Sequence, residues 1–182
     1  LEEVVSYGHF RGIKIYLTLN TLLDQVEVEE AIAYVGFVYS IGIDGLIVQD
    51  LGLAKLVRDN FPDFDLHAST QMTINSLEGA KLLEDLGFKR IVLARETPLE
   101  EIKLIKDQTQ VEIEVFGHGA LCVAYSGQCY MSSMIGGRSG NRGRCAQPCR
   151  KSYKVIRPDG KILKDQRAYL LSPKDLYTLE DV

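Results

Sequence analysis

Outside residues 116–153 the chain contains no cysteine, and no apolar run approaches the roughly 18 residues that a membrane-spanning helix needs. No basic, apolar and small-residue leader opens it, so nothing reads as a secretory signal. These absences point to a cytoplasmic protein without a membrane partner, in a compartment that keeps thiols from pairing as disulfides. Two protease signatures are missing: there is no His-Glu-x-x-His and no Gly-x-Ser-x-Gly. No glycine-rich dinucleotide fingerprint follows the first visible strand. His9 and His67 stand without a supporting constellation.

What is present is enough for a substantial core: 182 residues, 46% hydrophobic and 25% charged. After a helical end at residues 1–12, β-forming alternation at 12–20 predicts a strand, and periodic apolar residues predict a helix over 24–40. On that helix Ala31, Ile32, Val35 and Tyr39 share one face, and Gly42 marks its stop. The alternation repeats with strands at 45–50, 63–70, 89–95 and 111–119. Helices between them carry Leu53, Leu56 and Val57, then a capping box at Asn75 and Glu78, then a Thr97-Pro98 start. Five strand–helix units predict an α/β fold with a parallel sheet, either doubly wound or a TIM-like (β/α) barrel.

Every predicted strand ends in a polar residue: Asn20, Asp50, Thr70 with Gln71, Arg95 with Glu96, and His118. Barrel enzymes place their chemistry on that rim, which favours an incomplete barrel. Asp50 also reads as an ordinary helix cap, and Arg95 and Glu96 as a mutual pair. Residues 153–165 predict a β-hairpin with a Pro-Asp-Gly turn. A short strand at 168–176, ending at Ser172, is followed by a helix from Pro173. The expected division is a partial barrel over 1–120, a cysteine-rich insertion over 121–152, and a hairpin and return to the barrel over 153–182. The chain opens on Leu1 and stops in mid-pattern, so it reads as a piece of a longer protein.

Cys122, Cys129, Cys145 and Cys149 follow the spacing C-x6-C-x15-C-x3-C. Such pooling asks for a shared ligand. Structural zinc sites usually pair two close knuckles, and only Cys145 and Cys149 approach one. Iron–sulfur sites tolerate irregular spacing, and the surrounding Gly and Ser leave backbone N–H groups for sulfur. Both ligands stay open on residues alone, with the cluster favoured. Residues 138–167 hold ten Lys or Arg against Asp159 and Asp165, so this segment is +8 within a chain of net charge −4. That density suits RNA phosphates, with Arg138, Arg142, Arg144 and Arg150 as candidate contacts; a solvated hairpin face is the plain alternative.

The stretch GHGALCVAYSGQCYMS, then GGRSGNRGRCAQPCRKSY and YLLSPKDL, resembles the collagenase-like peptidases of unknown catalytic type, peptidase family U, number 32. LTLNTL, STQ and VLARE agree with the same pattern, while Gly117 stands where the family has valine before His-Gly-Ala. The resemblance implies a barrel-like N-terminal domain. By its name it implies peptide hydrolysis, and by its better understood relatives oxygen-independent hydroxylation of tRNA uridine, ribosomal RNA cytidine or a ubiquinone precursor. It implies a 4Fe-4S cluster on Cys122, Cys129, Cys145 and Cys149, and prephenate as oxygen donor in the RNA branch.

His118, four residues before the first ligand, is a candidate for substrate binding or proton movement, beside Gln71, Arg95 and Glu96 as catalytic candidates. Asn20 and Asp50 join the four arginines as substrate-binding candidates. The function expected is iron–sulfur-dependent hydroxylation of RNA, chiefly tRNA. The alternatives are a peptidase acting on a protein or peptide, for which His118 and Cys122 form a possible thiol–imidazole pair, and a zinc-stabilised scaffold.

Overall fold

The computed structural model describes residues 1–163, 169–178 and 180. It divides into two compact units, Leu1–Val115 and Phe116–Val182.

The first unit alternates helices and strands in the order α1 (Glu2–Phe10), β1 (Tyr16–Leu19), α2 (Gln25–Ser40), β2 (Gly45–Val48), α3 (Leu51–Asn60), β3 (Asp65–Ala68), α4 (Leu77–Asp85), β4 (Arg90–Val92), α5 (Leu99–Gln108) and β5 (Glu112–Glu114). The strands form one parallel sheet in the order β1-β2-β3-β4-β5. Strand order therefore follows chain order, without the reversal of a doubly wound sheet. Among the described residues, no strand pairs with the outer edges of β1 or β5. No helix among them is long and apolar enough to cross a membrane.

Parallel strands flanked by crossover helices are buried on both faces, and β2 and β3 show it: Leu46, Val48, Leu66 and Ala68 are fully buried. Val35 and Val38 of α2, Leu53, Ala54 and Val57 of α3, Ala80 and Leu83 of α4, and Ile105 of α5 pack into the same core. Burying one such aliphatic side chain stabilises by about 1.5–3 kcal/mol. Gly45 opens β2 because a Cβ there would lie 2.7 Å from the Asp65 carbonyl oxygen. Gly42 and Gly87 end α2 and α4 at φ +85° and +80°, where the next residue's N–H returns to Val38 and Leu83.

Asp24 caps α2 with a full capping box, its carboxylate accepting from the Val26 and Glu27 N–H groups while Glu27 accepts from the Asp24 N–H. The box expected at Asn75 is absent. Ser76 is the cap of α4, its Oγ accepting from the Gly79 N–H at 3.3 Å. Thr97 does not cap α5 either: its hydroxyl donates to the Ala94 carbonyl at 2.7 Å, and Pro98 takes the cap position. Tyr39 is not a core residue. Its ring lies beside Phe61 and Phe64, and its hydroxyl donates to the Asp63 carboxylate at 2.8 Å, which keeps it partly exposed and raises its pKa. The predicted strand at 12–20 begins only at Tyr16.

The second unit contains β6 (His118–Gly119), α6 (Met131–Gly136) and β7 (Leu176–Tyr177), with 3-10 turns at Gly140–Arg142 and Pro148–Arg150. The fifth strand expected over 111–119 splits: β5 ends at Glu114, and β6 pairs antiparallel with β7. Between β5 and β6 the Gly117 carbonyl accepts from both the N–H and the hydroxyl of Thr178, the residue after β7. The hairpin is present as an Ile156–Ile162 bridge, with Gly160 at φ +79° in its turn and the Leu163 N–H donating to the Val155 carbonyl. The strand ending at Ser172 is instead a turn, in which the Ser172 N–H donates to the Tyr169 carbonyl. Residues 173–175 are irregular, so no helix starts at Pro173. Ala168, at the start of that expected strand, and Lys164, Asp165 and Arg167 of the basic segment lie outside the described residues.

Candidate functional site

Two places carry the candidate residues, one in each unit. The first is the C-terminal rim of the five-stranded sheet, where strand ends are linked sideways by polar side chains, once from β1 past β2 to β3. Asn20 follows β1 and donates through Nδ2 to Ser69 Oγ at 3.3 Å. Gln49 follows β2, is buried, and donates through Nε2 to the Gln71 carbonyl at 3.2 Å. Ser69 follows β3, and its Oγ accepts from the Gln71 N–H. Thr70 opens a 3-10 turn, Thr70–Met72, and its hydroxyl donates to the Leu93 carbonyl just past β4 at 3.1 Å. Thr73 closes the turn in the left-handed region at φ 60°.

Asp50 is spent on backbone. Its Oδ1 accepts from the Leu53 N–H at 2.9 Å as the cap of α3, and its Oδ2 from the Leu23 N–H at 3.3 Å. Gln71 lies half-buried in the 3-10 turn, and Arg95 and Glu96 lie half-buried in the turn beyond β4. Gln49 and Ser69 were not among the expected site residues. Gln49 Oε1 is buried and accepts no hydrogen bond among the described residues. A buried acceptor left unpaired costs about 1–3 kcal/mol. Its signal was legible, since Gln49 is a polar residue directly after the apolar run of β2, but Asp50 beside it drew the assignment.

His67, in the middle of the sheet, is 1% exposed, with its ring 4.6 Å from that of Tyr16. Burial, helped by the Arg90 guanidinium and opposed by Asp65, Glu112 and Glu114, holds it below the ordinary histidine range. Arg90 itself pairs across the sheet with Glu112 at 2.5 Å, and that hydrogen bond holds the Glu112 carboxyl below its usual range.

The second place is the cysteine unit. All four cysteines are free thiols, Cys122 and Cys145 exposed, Cys129 and Cys149 half-buried. Cys145 Sγ accepts from the Gln147 N–H at 3.3 Å. Gly140 lies against it, a Cβ there falling 4.0 Å from the sulfur. Cys149 sits in the Pro148–Arg150 turn, whose carbonyl at Pro148 accepts from the Tyr153 hydroxyl at 2.9 Å. Arg150 donates through Nη2 to the Leu121 carbonyl and through Nη1 to Ser172 Oγ, both at 2.5 Å. The buried Ser132 of α6 accepts on Oγ from the Ala146 N–H at 2.9 Å. His118 opens β6, exposed, with its ring edge-on to Tyr177.

By chemistry alone the donors suit a thiolate-bound metal or cluster: four free thiols in one unit, one already accepting a backbone N–H. Among the described residues no three Cys, His, Asp or Glu side chains converge in metal-binding geometry. Arg138, Arg142 and Arg144 are exposed beside these thiols in sequence. Arg138 Nε donates to the Arg144 carbonyl at 3.1 Å, closing a small loop whose turn at Gly143 has φ +68°. Arg150 differs from the other three in being half-buried.

The model of peptidase family U32 matches residues 1–182. The chain is 47% identical over 175 residues to the 23S rRNA 5-hydroxycytidine C2501 synthase of Escherichia coli, covering 96% of this chain and 26% of that protein. It is 33% identical over 187 residues to tRNA hydroxylation protein P1 of Bacillus subtilis, covering 100% of this chain and 44% of the relative. It is also 33% identical over 191 residues to a collagenase of Porphyromonas gingivalis, covering 98% and 45%. The chain thus spans between a quarter and a half of the length of these curated relatives. A solved U32 peptidase structure superposes with TM-score 0.53 at 18% identity, over 63% of this chain and 49% of that one, a likeness of fold.

Proposed function

The chain belongs to peptidase family U32, and from that premise we propose that it is part of a cytoplasmic, iron–sulfur-dependent enzyme that hydroxylates RNA without molecular oxygen. The observation that carries this reading is the setting of four free thiols in one unit with exposed arginines between and beside them. Cys122, Cys129, Cys145 and Cys149 would hold the cluster, which supplies electron transfer or substrate activation when bound. Arg138, Arg142 and Arg144 would meet phosphates, a contribution that weakens as salt rises. The rim residues Asn20, Gln49, Gln71, Arg95 and Glu96 would bind the small polar co-substrate, for which prephenate is the first candidate to assay. Completing a barrel around the sheet belongs to the same proposal and falls to chain beyond these five strands.

The basic segment makes tRNA uridine a candidate base, and the 47% identity to a 23S rRNA 5-hydroxycytidine synthase makes rRNA cytidine the stronger one. The test is to purify full-length protein anaerobically, measure iron, sulfide and the visible spectrum, and analyse by mass spectrometry the nucleosides of tRNA and rRNA from cells with and without it. Iron and sulfide at about four per chain and one hydroxylated pyrimidine, both lost in Cys122→Ala, Cys145→Ala, are the expected result. Zinc, or no metal, in anaerobic protein overturns the cluster.

The identity to a named collagenase supports a second reading, peptide-bond hydrolysis. Gelatin cleavage that survives the cysteine replacements would select it.

A further inference from the structure

The sequence groups Arg150 with the phosphate-binding arginines, but its guanidinium is turned onto the protein. One Nη donates to the carbonyl of Leu121, the residue before Cys122, and the other to Ser172. Arg150 itself follows Cys149 directly. A single side chain therefore ties the backbone beside the first cysteine to the turn that carries the fourth. That turn is fixed in its own right by the buried Pro148 and by the Tyr153 hydroxyl on the Pro148 carbonyl. Ser132 makes the matching link for the other two thiols. It is 2% exposed on α6, which starts just past Cys129, and it accepts from the N–H of Ala146, next to Cys145.

We infer that Arg150 is a positioning residue of the four-cysteine site, holding the Cys122 segment against the Cys149 turn so that both thiols serve one ligand. Its planar fork suits two acceptors held in fixed directions, whereas a lysine ammonium is a point charge that cannot reproduce the pair. Without it, loop closure over the long span between Cys122 and Cys149 falls on the ligand itself. This inference rests on the reading of the four cysteines as one ligand set.

The test uses reduced, metal-free full-length protein titrated anaerobically with Co2+ alone and followed by its thiolate charge-transfer absorption. Wild type, Arg150→Gln, Arg150→Lys, Ser172→Ala, Ser132→Ala and Cys122→Ala are compared, with Lys154→Gln as an exposed basic control. Loss of an outer partner of a metal ligand typically costs about 10–100-fold in affinity. Arg150→Gln is expected in that range with a weaker charge-transfer band per metal. Arg150→Lys should fall between, Ser172→Ala and Ser132→Ala should lose less, and Lys154→Gln should match wild type. Combining Arg150→Gln with Cys122→Ala should add little beyond Cys122→Ala, the coupling expected of residues acting through one another. Wild-type affinity and spectrum in Arg150→Gln would overturn the inference while leaving the shared site intact. A wild-type protein that binds no Co2+ through thiolates would overturn the shared site, and the inference with it. If Arg150→Gln does not fold by circular dichroism, the graded Arg150→Lys and Ser172→Ala series decides: no loss in either overturns the inference.

Discussion

The two units are held together by different physics. Apart from Pro148, every buried aliphatic or aromatic side chain among the described residues precedes residue 116. Among the described residues of the second unit the buried ones are Ser126, Ser132 and Pro148, and large apolar groups such as Tyr130, Met134 and Ile135 are exposed. The first unit stabilises itself by apolar burial and parallel ladders. The second is a set of short turns tied by side-chain hydrogen bonds, each worth about 0.5–1.5 kcal/mol net. If the four thiols on this frame take up a shared ligand, as proposed, its binding would contribute folding energy directly.

The sharpest way to break that contrast is to take away the proposed ligand. Chelation or oxidative loss of the metal should abolish amide protection across residues 116–163, while β2 and β3 keep theirs in hydrogen exchange. Equal loss in both units would mean that they share one source of stability. Next in size is Leu66→Ala, at a fully buried site in β3. It should cost about 2–5 kcal/mol in a denaturant titration, and a cost below 1 kcal/mol would mean that the sheet core is not what supports the first unit.

The smallest effect concerns His67. Its folded pKa is depressed by burial, so the unfolded chain binds the extra proton first as pH falls. The stability it permits is complete above the ordinary histidine value near 6.5. It is lost as pH drops below that value toward the folded pKa, by at most about 1.4 kcal/mol per pH unit. His67→Phe should flatten thermal stability between pH 5 and 7. An unchanged pH profile would assign the acid sensitivity of this window to another group. Asp44 is not that group: its carboxyl is held below its usual range by the Ile15 N–H and His9 despite partial burial, so its contribution is lost only at lower pH.

Most of the first unit was legible because a strand or helix with one apolar face announces its period. The five strands, their connecting helices and the Gly42 stop all follow from that rule. Caps were less legible: Ser76 rather than Asn75 starts α4, and the Thr97 hydroxyl is consumed by the preceding turn. Both errors are one residue long, the scale on which competing side-chain hydrogen bonds decide a helix end. In the second unit the cysteine cluster stood out by spacing, while β6 was hidden inside an apparent fifth strand. Its partner, β7, lies far along the chain and has no periodic pattern of its own.

The sequence by itself determined the alternation of strands and helices, the parallel sheet, the pooling of four thiols and the excess of positive charge around them. These are properties of composition and short-range period, which fix which face of an element leaves water. Only the tertiary structure decided that Gln49 turns inward at the rim, that His118 leaves the parallel sheet, and that Arg150 reaches the Leu121 carbonyl and Ser172. Where a guanidinium or an amide finds its acceptor depends on which distant group folding brings within hydrogen-bond reach, and no local pattern carries that information.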